Sequence, residues 1–289
     1  MDGPPLTSVD LSTSADDKFA KTPTSDEFLQ SISAALGSPY RVVSDGLFYW
    51  ATPFNEEAQA LYAKHAAYAL GRVGQTIPGL VVTPPENGWP AILFASVDAQ
   101  LAYEDLFGGS GARIISGGCW CSWPIGHLAI PVSAWDALDA AFGHELVHAT
   151  LSNTGVPGWL QEGLATELET GMGNRTAPLN DLYHWRETLA WWRSHSADSF
   201  WDASAFTNPE SSQHAYALAQ VMALRLTSKP ECLRRACTIG PEAWQDQDAV
   251  LQEILGGDRT ALFQAIIGEG QRRGWLERFL YWCFVGERP

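Results

Sequence analysis

The chemistry-bearing residues of this chain gather in one short run, His144-Glu145-Leu146-Val147-His148. Its two imidazoles are four positions apart, so on an α-helix they stand about 40° apart around the axis and one turn apart along it. Both can then reach one cation. Glu145 lies one step round, where a carboxylate touches a water at that cation without ligating the ion. Two nitrogen donors and an adjacent base are what metal-assisted hydrolysis requires, since the base must take a proton from water and pass it to a leaving group. With seven histidines in 289 residues, a chance H-E-x-x-H is expected about once in a hundred such chains, so the run is informative.

A catalytic zinc takes three protein ligands and keeps a fourth position open for water. The segment Pro157-Gly158-Trp159-Leu160-Gln161-Glu162-Gly163-Leu164-Ala165 offers the third. A helix, a tight turn and a returning helix would bring Glu162 back opposite His144 and His148. Glu162 lies between Leu160 and Leu164, where an unpaired carboxylate is costly and a metal ion would satisfy it. A solvated glutamate or a core salt bridge is the competing reading. Glu167 and Glu169 suit a hydrated face and are set aside as ligands; Glu169 and Thr166 remain candidates for supporting one.

These residues need a scaffold. Trp135, Leu138, Ala141 and Phe142 precede the motif at helical spacing, which predicts a core-packed helix over 134–151 and a second over 158–171. Further helices are predicted at 178–195, 212–227, 246–255, 259–270 and 273–284. Upstream, the pattern alternates. A helix begins at Asp26 and stops at Gly37, Leu47–Ala51 reads as a strand, and Glu56–Val73 as a helix. Ile92–Ala95 reads as a buried strand and Ser96 opens a helix to Phe107. Arg113–Ser116, Cys119–Trp123 and Leu128–Val132 are three more strand candidates. The expected fold is α+β. A Ser/Thr/Pro-rich leader over 1–24 precedes a small mixed-sheet lobe with helices over 25–133. A mainly helical lobe over 134–289 follows, with the metal site in the cleft between the lobes.

Composition removes several function classes. A net charge of −15 leaves no basic surface for nucleic acid. No apolar run approaches the roughly 18 residues of a membrane span, and the N-terminus has no signal-peptide pattern, so a cytoplasmic location is expected. The five cysteines are an odd number and suggest no disulfide framework. Cys119-Trp120-Cys121 lacks a second pair at ligand spacing, so the thiols read as buried and unligated. His65, His127, His184 and His195 lie outside ligand spacing and read as surface or capped residues. Trp185, Trp191 and Trp192 read as core, with a substrate pocket as the other possibility.

The run His144-Glu145-Leu146-Val147-His148 followed by Trp159-Leu160-Gln161-Glu162-Gly163-Leu164-Ala165 resembles the gluzincins, the thermolysin-like and aminopeptidase-like clan of zinc peptidases. It looks most like the bacterial peptidase MA-like members, and the likeness is specific over about residues 128–170. The resemblance implies a zincin-like fold, one zinc per chain on His144, His148 and Glu162, and Glu145 as general base. It also implies an edge strand just before the active helix, a place that Leu128–Val132 fits because Pro131 lacks an N–H. A tyrosine or histidine from a later helix stabilises the oxyanion in that clan, which points to Tyr216, then His214, in Gln213-His214-Ala215-Tyr216; Tyr216 also fits a core tyrosine. Thr166 stands where thermolysin-like enzymes carry an aspartate, and no aminopeptidase-type G-x-M-E-N run is present. The expected function is therefore a zinc endopeptidase acting on a peptide or protein, without a nucleic-acid or membrane partner. The alternatives are a zinc-stabilised binding protein that cleaves nothing and a protease held latent until a regulatory partner acts.

Overall fold

Thr24 starts the first described element. Its hydroxyl accepts from the Glu27 N–H at 3.2 Å while its own N–H donates to the Glu27 carboxylate at 2.8 Å. This reciprocal capping box, worth about 1 kcal/mol, opens helix α1 (Ser25–Leu36). The computed structural model describes residues 23–77, 88–108, 117–122, 124–132, 138–172 and 182–269. The strand expected at 113–116, the helix expected at 273–284 and nearly all of the leader lie outside them.

The fold is α+β, with one five-stranded mixed sheet in the order β1-β2-β3-β5-β4. β1 (Arg41–Ser44) pairs antiparallel with β2 (Phe48–Thr52), and β3 (Trp89–Phe94) runs parallel to β2. β5 (His127–Pro131) runs parallel to β3, and β4 (Cys119–Cys121) closes the row antiparallel to β5. Every residue of β3 and β5 is buried, the apolar-run pattern of strands covered on both faces.

Register sorts the side chains. Ala51, Ile92, Ala129 and Cys119 lie in one row across the sheet. That face packs on Phe28 and Leu29 of α1 and on Tyr103 of α3 (Val97–Gly108). Trp50, Ala91, Leu128 and Trp120 form the neighbouring row on the opposite face. There Trp50 meets Phe142 of α4 (Leu138–Leu151) edge-on at 6.0 Å. His65 of α2 (Glu56–Thr76) pairs with Asp139 of α4 at 2.7 Å.

One expectation is overturned here. Leu128–Val132 is no edge strand, because β5 has β3 on one side and β4 on the other; the edge is β4. Pro131 is accommodated for a different reason. Val132 N–H donates to Phe94 O at 2.8 Å, so by strand alternation the Pro131 nitrogen faces the β4 side. The last β4 pair is Cys119 with Ala129. The missing donor thus falls beyond the last rung.

The chain divides into two compact units. One holds the sheet, α1, α3, most of α2 and the first half of α4, which runs unbroken across the division. The other holds the helices after α4: α5 (Gly158–Gly171), α6 (Leu182–Ser194), α7 (Asp198–Trp201), α8 (Ser212–Thr227), α9 (Pro230–Thr238), α10 (Gln247–Leu255) and α11 (Arg259–Glu269). In this second unit α8 is buried along nearly its whole length and packs on α5, α6 and α9. Trp159, Trp192, Phe200 and Trp201 pack ring to ring nearby, and Trp185 is buried too. None of the described helices is long and apolar enough to cross a membrane.

Candidate metal centre

The motif helix is held by its apolar side. Leu138, Phe142, Leu146, Val147 and Leu151 are all buried, which leaves His144 and His148 half-buried, on a less covered part of the helix. After Leu151 the chain must turn at once. Thr154 N–H and hydroxyl both donate to Leu151 O, at 3.0 and 2.7 Å, and Gly155 takes φ +77°. A Cβ at Gly155 would stand 2.1 Å from Pro241 Cα. Only glycine suits that corner, by conformation and by space.

α5 then returns. Trp159, Leu160, Leu164 and Ala165 are fully buried, and Gly163 lets α8 approach. A Cβ at Gly163 would lie 2.3 Å from Ala219 O and 3.1 Å from Ala223 Cβ, so the glycine of W-L-Q-E-G-L-A is a helix-contact residue. This packing fixes the rotation of α5 and with it the direction of Glu162.

The three expected ligands come together. One donor atom each from His144, His148 and Glu162 lies within 4.8 Å of the others, and His148 Nε2 stands 3.5 Å from Glu162 Oε2. Tetrahedral zinc with bonds of about 2.0–2.1 Å sets its ligand atoms roughly 3.4 Å apart, so this spacing suits the ion. Glu145, next to His144, is 4 % exposed. Gly118, just before β4, lies against it: a Cβ there would come 3.1 Å from Glu145 Cγ.

Gln161 is a part that sequence reasoning missed. Its Nε2 donates to Val156 O at 2.7 Å, which turns its Oε1 towards His148 Nδ1 at 3.3 Å. An amide oxygen only accepts, so His148 Nδ1 is the donor in this contact and Nε2 is the ring nitrogen on the side of Glu162. Nε2 and the Glu162 carboxylate lie 3.5 Å apart, a spacing that a shared proton or a shared cation can bridge. Only the folded turn puts Gln161 under a histidine thirteen residues earlier, so no local sequence signal marks it.

Other expected roles are redistributed. Glu167 does not sit on a hydrated face. Gln220 Nε2 donates to it at 3.1 Å and to Thr170 Oγ1 at 2.9 Å. Burial raises its pKa, opposed by that hydrogen bond. Thr166 is buried, and its carbonyl accepts from the Thr170 hydroxyl. His127 is fully buried rather than a surface residue.

Tyr216 is half-buried and packs edge-on against Phe206 at 5.2 Å. His214 is engaged elsewhere: Nδ1 is 3.0 Å from the Thr188 hydroxyl, and the ring stacks on Trp191 and His184. A cavity of about 470 Å³ near Trp192, Trp201 and Phe263 is lined by none of the three ligand candidates. Its Arg259 is already paired with Asp248 at 2.9 Å.

The chain matches no model of a known protein family, and no curated protein sequence matches it.

Proposed function

We propose that this chain is a zinc-dependent endopeptidase. The observation that carries the reading is the convergence of His144, His148 and Glu162 within 4.8 Å, beside a buried Glu145. Three protein donors of N, N and O type are the set that leaves a zinc position open for chemistry. Zinc bound there supplies a Lewis acid that acidifies water and polarises a carbonyl. His144, His148 and Glu162 hold it. Glu145 takes the proton of the attacking water and returns it to the departing amine.

The peptide backbone adds along β4, which pairs only with β5 among the described strands, because Gly118 just before it lies against Glu145 and backbone pairing positions a substrate without regard to side chains. Tyr216 donates a hydrogen bond to the oxyanion. It is the better choice over His214, whose ring nitrogen and face are committed to Thr188, Trp191 and His184.

The test pairs metal content with cleavage. The purified chain should carry about one zinc, and Glu145→Gln should keep it. In a proteome-derived peptide mixture the parent should generate new termini, and the variant should lose roughly 10²–10⁴-fold in rate. A parent that holds zinc and cuts nothing would turn the reading to a zinc-stabilised binding protein. A parent that holds no zinc would remove it.

A further inference from the structure

Cys119 and Cys121 lie one residue apart on β4, so both side chains leave the same face of the strand. Their Sγ atoms stand 3.5 Å apart, and both residues are half-buried. We propose that they form an oxidisable dithiol, a modification site at which a hydroperoxide closes the Cys119–Cys121 disulfide.

The surroundings support this. Register places Cys121 opposite His127. His127 Nδ1 lies 2.8 Å from Ile125 O and its Nε2 lies 2.7 Å from the Tyr103 hydroxyl. The Cys119 and Cys121 thiols share a hydrogen bond. That hydrogen bond, with a smaller contribution from His127, outweighs burial and holds the Cys121 thiol down at about 5. A lowered thiol pKa favours the nucleophilic thiolate, which makes Cys121 the attacking sulfur of the proposed pair and Cys119 the resolving one. Cys237 stands at the other extreme, pushed up to about 12 by burial.

The strand can yield. Closing the bond asks the sulfurs to approach by about 1.5 Å. β4 has three residues and pairs only with β5 among the described strands, so the distortion stays in one short edge.

The chemistry balances. The Cys121 thiolate attacks one peroxide oxygen and the O–O bond breaks. Cys121 becomes a sulfenic acid, and the departing hydroxide takes up a proton as water. The Cys119 sulfur then displaces the second hydroxide from Cys121 sulfur, with the Cys119 proton completing a second water. Two thiols lose two electrons and one peroxide gains them.

The experiment uses the full chain. Treat it with excess hydrogen peroxide, quench, alkylate with N-ethylmaleimide under denaturing conditions, and map the peptides by mass. The peptide holding both residues should be lighter by two hydrogens and unalkylated, and dithiothreitol should restore its alkylation. Cys232 and Cys237 should remain alkylated. Cys119→Ser should stop at a Cys121 sulfenic acid that dimedone traps. Full alkylation of both residues after peroxide would overturn the proposal. So would sulfinic acid accumulating on Cys121 of the parent with Cys119 still alkylated. Both readouts come from the parent, so neither depends on the variant folding, nor on the chain being a peptidase.

Discussion

Histidine is used in two opposite ways in this molecule. On α4, one nitrogen each of His144 and His148 converges with the Glu162 carboxylate, and Gln161 holds the other nitrogen of His148. On α6 and α8, the rings of His184 and His214 lie nearly parallel and stacked, 5.7 Å between centroids. Trp191 stacks on His214 at 5.0 Å and on His195 at 3.8 Å. In this second group one nitrogen of each ring is bonded, to Thr188, Gln213 O and Trp191 O. Faces meet faces. A metal ion needs converging lone pairs, which rings meeting edge-on at one point provide and a π stack does not. Residue type alone does not separate the two groups; ring orientation and the carboxylate do.

The largest effect should come from removing one ring in each group. His148→Ala should drop zinc from about one per chain to below about a tenth, read by elemental analysis after gel filtration. His214→Ala should keep its zinc. Equal loss from both variants would erase the distinction and point to a general folding defect, which circular dichroism would reveal.

Much of the scaffold was legible because it rests on local signals. The predicted helices at 158–171 and 212–227 match α5 and α8 in extent, since each carries a dense apolar pattern between turn-forming residues. β1 was not read, because Arg41-Val42-Val43-Ser44 is too short to show alternation. α9 was missed although Pro230 stands at its start, a position where proline favours a helix. Strand order was beyond reach: β4 lies outside β5 through long-range pairing, and Leu128–Val132 read as an edge from the resemblance and from Pro131. In the site, His144, His148 and Glu162 announced themselves by type and spacing. Gln161 and the hydrogen bond from Gln220 to Glu167 could not, since both depend on how α5 is turned against its neighbours.

A smaller effect sharpens the comparison by testing orientation alone. Gln161→Leu removes the acceptor for His148 Nδ1 and the tie to Val156 O, leaving all three ligands in place. Zinc affinity, measured by competition with a chromogenic chelator, should weaken about 10–100-fold. Gln161→Glu keeps an oxygen for Nδ1–H and should recover most of that loss. If both variants bind zinc as tightly as the parent, His148 is oriented by something other than Gln161.

The smallest effect lies in the stacked group and concerns protons. His214 has its pKa lowered, first by burial and then by His184, with Glu187 opposing and His195 adding slightly. Its folded pKa therefore lies below the ordinary value of about 6.5, and the unfolded chain binds the proton more readily. Stability rises with pH wherever the unfolded state holds more protons. No cost arises well above pH 6.5. Stability is lost as pH falls through that value, and the loss is complete once pH drops beneath the depressed folded pKa. His214→Gln cannot be protonated and should show a shallower fall in Tm between pH 7.5 and 5.5. The measurement belongs on chelator-treated chain, because acid would also release a metal held by the proposed ligands His144 and His148. An identical pH slope in parent and variant would mean that the stack tolerates an imidazolium. The contrast between the two histidine groups would then rest on metal binding alone.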